Sequence, residues 1–164
     1  METAIRINNL RVDYGETTVL SGIDAEIKKG EIAVILGGSG CGKSTLLKAI
    51  TGLIEPRAGR VEVLGMNRGA LDEDDQSKLS KRLGVMFQYG ALLNSLTVGE
   101  NISLPLEMHT DLPRAQIDHI VRLRLDSVSL EGTQDRMPSE LSGSMRKRVA
   151  LARAMALDPE ILFC

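Results

Sequence analysis

The residues whose chemistry is plainest lie in the stretch GGSGCGKST at positions 37–45. Positions 37–44 fit G-x-x-x-x-G-K-[ST], and that spacing suits one task, the holding of an oligophosphate. A triphosphate presents many negative oxygens in a small volume, and consecutive main-chain N–H groups can surround it only where no Cβ stands in the way. Lys43 has the length to reach the β- and γ-phosphates, the Ser44 hydroxyl is a ligand for Mg²⁺, and Thr45 with the amides of residues 40–45 would hold the α- and β-phosphates. The candidate nucleotide-binding residues are therefore Gly37, Gly38, Ser39, Gly40, Cys41, Gly42, Lys43, Ser44 and Thr45. Cys41 reads as a small side chain that fits the loop rather than as a reactive thiol.

Such a loop works only between a strand that fixes it and a helix whose N-terminus faces the anion. The run IAVIL at 32–36 is continuously apolar and predicts a parallel strand buried on both faces. Helix formers fill 43–51 and stop at Gly52, a suitable C-terminal cap. Upstream, AIRINNLRV and IDAEI alternate polar with apolar, predicting antiparallel strands with one solvated face and turns at Tyr14-Gly15 and Lys29-Gly30. Downstream, GRVEVLG predicts a short strand, DEDDQSKLSKRL a helix with acids at its start and bases at its end, and LGVMFQ a second buried strand. A less regular stretch follows. Pro113 then opens a helix bearing Ile117, Ile120, Val121, Leu125 and Val128 at three- and four-residue steps. Pro138 closes an irregular segment before a last helix, about 143–157, with Met145, Val149, Ala152 and Ala156 on one face. Asp158-Pro159 turns into a terminal buried strand at 161–164. The order of elements is that of an α/β chain.

At 164 residues the chain makes one domain that buries roughly 70% of its unfolded surface. A formal charge of −2 excludes a general electrostatic attraction to nucleic acid or anionic lipid, so the basic run Arg146, Lys147, Arg148 reads as a solvated helix face. With 2% aromatic residues and no Trp there is no stacking platform for single strands. Two cysteines without framework spacing fit a reducing compartment. The start METAIRINNLRVDYG lacks a basic segment followed by an apolar run, so no secretory leader is expected, and no run nears the roughly 20 apolar residues that span a bilayer; a cytoplasmic chain that meets a membrane through a partner is expected.

The phosphate loop alone leaves kinases, GTPases, motor ATPases and transport ATPases open. The stretch ELSGSMRKRVALARAMALDPEILFC resembles the signature region of the ATP-binding cassette (ABC) family, whose usual form is L-S-G-G-Q; here it stands as Leu141, Ser142, Gly143, Ser144 and Met145. Gln88, at the end of MFQ, matches that family's glutamine loop, and Tyr14 before Gly15 sits where its adenine-stacking aromatic lies. The resemblance runs from about residue 5 to residue 164. It implies a P-loop NTPase with an N-terminal antiparallel β subdomain, a parallel RecA-like core and a helical signature subdomain. Residues 1–87 and 157–164 would form the β subdomain and core, and 88–156 the helical part.

The resemblance also implies roles. Ser142 as an N-cap, with the amides of Gly143 and Ser144, would form an anion site that closes on the γ-phosphate held by a second copy, so that a homodimer sandwiches ATP. Gln88 would contact the metal and the attacking water, and Tyr14 would stack on adenine. Two departures stand out: Ser144 replaces the usual glycine and adds a side chain to a crowded turn, and Met145 replaces glutamine.

Residues 87–113, FQYGALLNSLTVGENISLPLEMHTDLP, resemble the ATPase subunit of Mla-type transporters, which move phospholipid between the membranes of Gram-negative bacteria. That implies a permease docking near 88–106 and a peripheral position on the cytoplasmic face of the inner membrane. The apolar residues there, Leu92, Leu93, Leu96, Val98, Leu104 and Leu106, suit either docking or internal packing. Alternatives are an ABC ATPase for another substrate and a soluble, non-transport ABC ATPase. The latter usually carries a second cassette or a long coiled-coil insertion, and this chain shows neither. The family's Walker B aspartate is expected directly after Cys164, its catalytic glutamate next and its switch histidine one strand later. The expectation is thus a C-terminally truncated cassette that binds ATP weakly and does not hydrolyse it alone.

Overall fold

Strand β1 (Thr3–Tyr14) turns at Gly15 into β2 (Thr17–Lys28), and the two pair antiparallel in the computed structural model, which describes residues 2–87 and 90–164. The chain forms two compact units, Met1–Ser80 and Lys81–Cys164. In the first, β3 (Ala58–Val63) and β4 (Met66–Asn67) extend the hairpin into a four-stranded antiparallel sheet of order β2-β1-β3-β4. Ile5 and Ile7 of β1 face inward beside Val63 and Val61 of β3. Strict alternation would then turn Leu10 and Val12 outward, but a register shift between Ile7 and Leu10, with Asn9 at φ 46°, resets the phase. All four side chains are buried as a result. The Asn9 amide freed by the irregularity donates to Asp24 Oδ1 at 2.7 Å, and Gly59 lies so near the Asn8 and Asn9 carbonyls that any Cβ there would collide with them.

Helix α1 (Lys43–Thr51) packs against β2 and β3, burying Ala49 and Ile50. Gly52, at φ 79°, ends it where the sequence predicted, because only glycine adopts that conformation without strain. The Arg68 side chain covers this end, its Nε donating to Ile50 O at 3.0 Å, while burial pushes the guanidinium below its ordinary pKa. Helix α2 (Glu73–Lys81) carries Glu73, Asp74 and Asp75 in its first turn, as predicted.

One expectation is corrected here. Residues 32–36 do not form a buried strand: they join no ladder, and Ile32, Val34 and Leu36 are 96%, 72% and 87% exposed. A strand exists only where a neighbour takes up its hydrogen bonds, and in this unit β1–β4 pair among themselves as an antiparallel sheet.

In the second unit, β5 (Leu83–Val85) pairs in parallel with β6 (Ile161–Phe163), Gly84 opposite Leu162. Gly84 is packed under the Ala154 carbonyl, where a Cβ would collide. Three helices supply the core: α3 (Val98–His109), α4 (Arg114–Ser127) and α5 (Gly143–Ala154). Val98, Ile102 and Leu106 of α3 meet Ile117, Val121 and Leu125 of α4 and Val149 and Ala152 of α5, with Leu130 and Leu141 closing the cluster. Helix α3 occupies the stretch expected to be irregular. Thr97 and Glu100 form a reciprocal capping box at its start, and that cap lets a helix containing Pro105 begin and hold.

Candidate functional site

The phosphate loop of the first unit is shaped by close approach. Gly40 and Gly42 lie at φ 78° and 95°, both left-handed, and a Cβ on Gly42 would come 2.7 Å from Leu20 Cδ2. The space where Gly37 would carry a Cβ is filled by the Cys41 thiol, so Cys41 acts there as a small packing group. Lys43 Nζ donates to Gly37 O at 2.8 Å and Gly38 O at 2.6 Å, which suspends its positive charge over the loop.

The start of α1 is built for an anion. Leu46 N donates to Gly42 O at 2.8 Å, closing the first helical turn, while Gly42 supplies no side-chain cap and the first turn contains no acid. The leading amides of the helix are therefore left to an external acceptor, with the positive end of the macrodipole behind them. Ser44 is exposed and Thr45 half-buried in that turn, and Ser39 is exposed at the tip of the loop. Two left-handed glycines, an uncapped and acid-free helix start and a suspended ammonium together fit an oligophosphate.

Tyr14 closes β1 opposite Thr17 and is 48% exposed, which leaves ring surface for stacking. Gln88 lies outside the described residues.

The signature residues stand at the start of α5. Ser142, in an extended conformation, caps the helix, its Oγ accepting from Met145 N at 3.2 Å. Ser144 Oγ sits 3.1 Å from Ser142 Oγ, so the hydroxyl that replaces glycine turns back onto the cap. Residues 142–144 are exposed and the first turn of α5 lacks acids, so this helix start too presents amides and a hydroxyl outward.

Further along α5, two arginines bind main-chain carbonyls. Arg148 Nη1 donates to Val128 O at 2.9 Å and Ser129 O at 3.0 Å, so this residue is bonded at the end of α4 rather than lying on a solvated face. Arg153 donates to Ala91 O at 2.9 Å and Gly90 O at 2.8 Å. Asn101 of α3, fully buried, donates to the carbonyls of Leu93, Leu96 and Thr97. Sequence reasoning passed over α3, Asn101 and Arg153. The T-x-x-E pattern at 97–100 was a signal for the helix, whereas nothing local marks an arginine that will meet carbonyls some sixty residues earlier.

A strand-paired α/β chain whose glycine loop and lysine open a helix is a P-loop NTPase. Residues 20–164 match the family model described as ABC transporter, and the chain belongs to that family. It is 39% identical over 161 residues to the intermembrane phospholipid transport system ATP-binding protein MlaF of Haemophilus influenzae, covering 98% of this chain and 61% of the relative. It is 42% identical over 148 residues to the methionine import ATP-binding protein MetN 2 of Paraburkholderia xenovorans, covering 90% of this chain and 38% of that one. The dimeric post-hydrolysis structure of an ATP-binding cassette bound to ADP and Pi superposes with a TM-score of 0.88 at 32% identity, over 96% of this chain and 72% of the other. The fold is thus that of an ABC cassette. No helix among the described residues is long and apolar enough to cross a membrane.

Proposed function

We propose that this chain is the ATP-binding, energy-coupling part of a transporter that moves phospholipid or a related lipid across a Gram-negative envelope. The observation that carries the nucleotide assignment is the α1 start, with Gly40 and Gly42 left-handed, no capping side chain and Lys43 poised over the loop. Lys43 and the amides of residues 40–45 hold the phosphates, Ser44 takes Mg²⁺, and Tyr14 covers the base, a contact worth about 1–3 kcal/mol. Gln88 is assigned to metal and water positioning from its match to the glutamine loop.

Bound ATP supplies the driving energy through its β–γ phosphoanhydride bond. The protein's own contribution is to fix the phosphates and to offer, from Ser142, Gly143 and Ser144, a second set of donors to nucleotide held by another copy. The dimeric state of the solved relative supports this two-fold arrangement. The region 88–106 serves as the permease-facing surface, and the chain sits peripherally at the cytoplasmic face of the inner membrane.

The lipid assignment rests on the MlaF likeness, and a methionine-import relative of similar identity favours one competing substrate class. Reconstitution of the protein with its co-purifying permease separates them. ATP-dependent transfer of a fluorescent phospholipid between vesicles is expected; methionine uptake without lipid transfer would replace the lipid reading. Co-purification with ribosomes or DNA ends and no membrane protein would end the transport reading altogether.

A further inference from the structure

We propose that Arg153 is a positioning residue that locks the segment following Gln88 to the helix bearing the signature residues, so that the two move as one body. This rests on the reading of residues 88–106 as the permease-facing surface and of residues 142–144 as the anion site.

The geometry is specific. Consecutive carbonyls of an extended chain point in opposite directions, yet Gly90 O and Ala91 O both meet one guanidinium, at 2.8 and 2.9 Å. They can do so because both residues are left-handed, Gly90 at φ 78° and Ala91 at φ 44°. For alanine that conformation is strained and persists only where the surroundings impose it. Arg153 holds it there, its planar fork presenting Nη1 to the Ala91 carbonyl and Nη2 to the Gly90 carbonyl in one fixed geometry. Gly90 itself rests on α5: its Cβ would come 3.4 Å from Ala150 Cβ and 3.5 Å from Arg146 O. The far end of the segment is held to α3 by Asn101, and α3 packs on α5 through Val98, Ile102 and Val149. Residues 90–97 are thus tied at both ends to one helical body whose leading turn carries Ser142.

The test compares Arg153→Met with Arg148→Met, which removes the same kind of carbonyl clamp from the same helix but at the end of α4. Both are measured in the full-length subunit assembled with its permease. If Arg153 couples the two regions, Arg153→Met lowers permease stimulation of ATP turnover about five- to tenfold, with KM for ATP within about twofold of the parent. Arg148→Met then lowers thermal stability by a similar amount but keeps the stimulation. Arg153→Lys restores part of it, and Ala91→Gly, which relieves the strained turn, partly rescues Arg153→Met.

Equal stimulation per folded molecule in Arg153→Met and the parent overturns the proposal, as does an equal loss in both arginine variants. Amide exchange gives a readout independent of the permease: exchange across residues 90–97 must quicken about tenfold in Arg153→Met and stay unchanged in Arg148→Met. Unchanged exchange in both sinks the clamp itself. A parent protein that shows no permease stimulation while Arg153→Met still loosens residues 90–97 would sink the docking reading and leave the clamp standing.

Discussion

Asn101 and Leu93 exchange two hydrogen bonds: Leu93 N donates to Asn101 Oδ1 at 2.8 Å, and Asn101 Nδ2 donates to Leu93 O at 3.0 Å. A side-chain amide has one acceptor and two donors, and here both sides are used against a single residue while the same Nδ2 also reaches Leu96 O and Thr97 O. In effect, the buried amide replaces the strand partner that this stretch of main chain lacks.

Removing it takes the side-chain partner from Leu93 N and Leu96 O, while Leu93 O and Thr97 O keep bonds from Leu96 N and Asn101 N. Asn101→Ala is expected to destabilise the protein by about 3 kcal/mol, and Asn101→Asp by at least as much, since a carboxylate would face three carbonyls. Urea unfolding followed by far-UV circular dichroism checks this. A loss below about 0.5 kcal/mol for Asn101→Ala would mean that the segment finds other partners.

Lys43→Met is expected to lower ATP affinity about tenfold to a hundredfold with little change in stability. The ammonium bonds to the Gly37 and Gly38 carbonyls and to Cys41 Sγ, all within one exposed loop, so the fold does not depend on it. Titration calorimetry with a slowly hydrolysed ATP analogue reads the difference, and an unchanged affinity would remove Lys43 from the site.

Ser144→Gly tests the departure in the signature. The Ser144 hydroxyl is turned onto Ser142 Oγ, the atom that caps α5, and adds bulk to the outward-facing turn. The glycine variant is expected to strengthen ATP-induced dimerisation while costing a few tenths of a kcal/mol in helix stability. Sedimentation velocity with and without nucleotide decides; weaker dimerisation in the variant would show that the hydroxyl contributes to the contact.

Glu26 ties acid sensitivity to the β1–β2 hairpin. Hydrogen bonds from Lys28, Thr3 and Arg6 all reach its Oε1, at 2.5, 2.6 and 2.9 Å, and hold its pKa down to about 2 from an ordinary 4.5. The folded value lies below the unfolded one. The contribution is therefore complete above about pH 4.5 and is lost as pH falls toward about 2. Because the group is exposed the effect is small and weakens with salt. Glu26→Gln should flatten the stability-against-pH curve in that window, measured by urea midpoints at stepped pH. Parallel curves for the two proteins would refute the assignment.

Much of this molecule is readable from single residues. Gly52 stops α1 because no other residue takes its conformation without strain, and Ser142 caps α5 because its oxygen reaches the first amides. The phosphate loop was legible for the same reason: its glycines answer to local geometry. What escaped the sequence depends on partners distant in the chain. Residues 32–36 have strand composition, but a strand is made by its neighbours, and the antiparallel sheet of their unit pairs without them. Helix α3 was hidden by Pro105, which ordinarily signals an end, although the Thr97–Glu100 cap and the burial of Ile102 and Leu106 outweigh that one missing N–H. The phase reset at Asn9 was likewise invisible, because two asparagines in AIRINNLRV do not disclose which one steps out of the ladder.

Asn101, Arg148 and Arg153 share one habit: each binds main-chain carbonyls and leaves the side chains of the segment it holds unengaged. The exposed side chains at positions 93–95 can therefore be exchanged without loosening the anchorage beneath them, whereas Leu92 packs against the helical core. Such an arrangement lets descent with modification refit the outer surface one substitution at a time, while the machinery behind it is inherited intact.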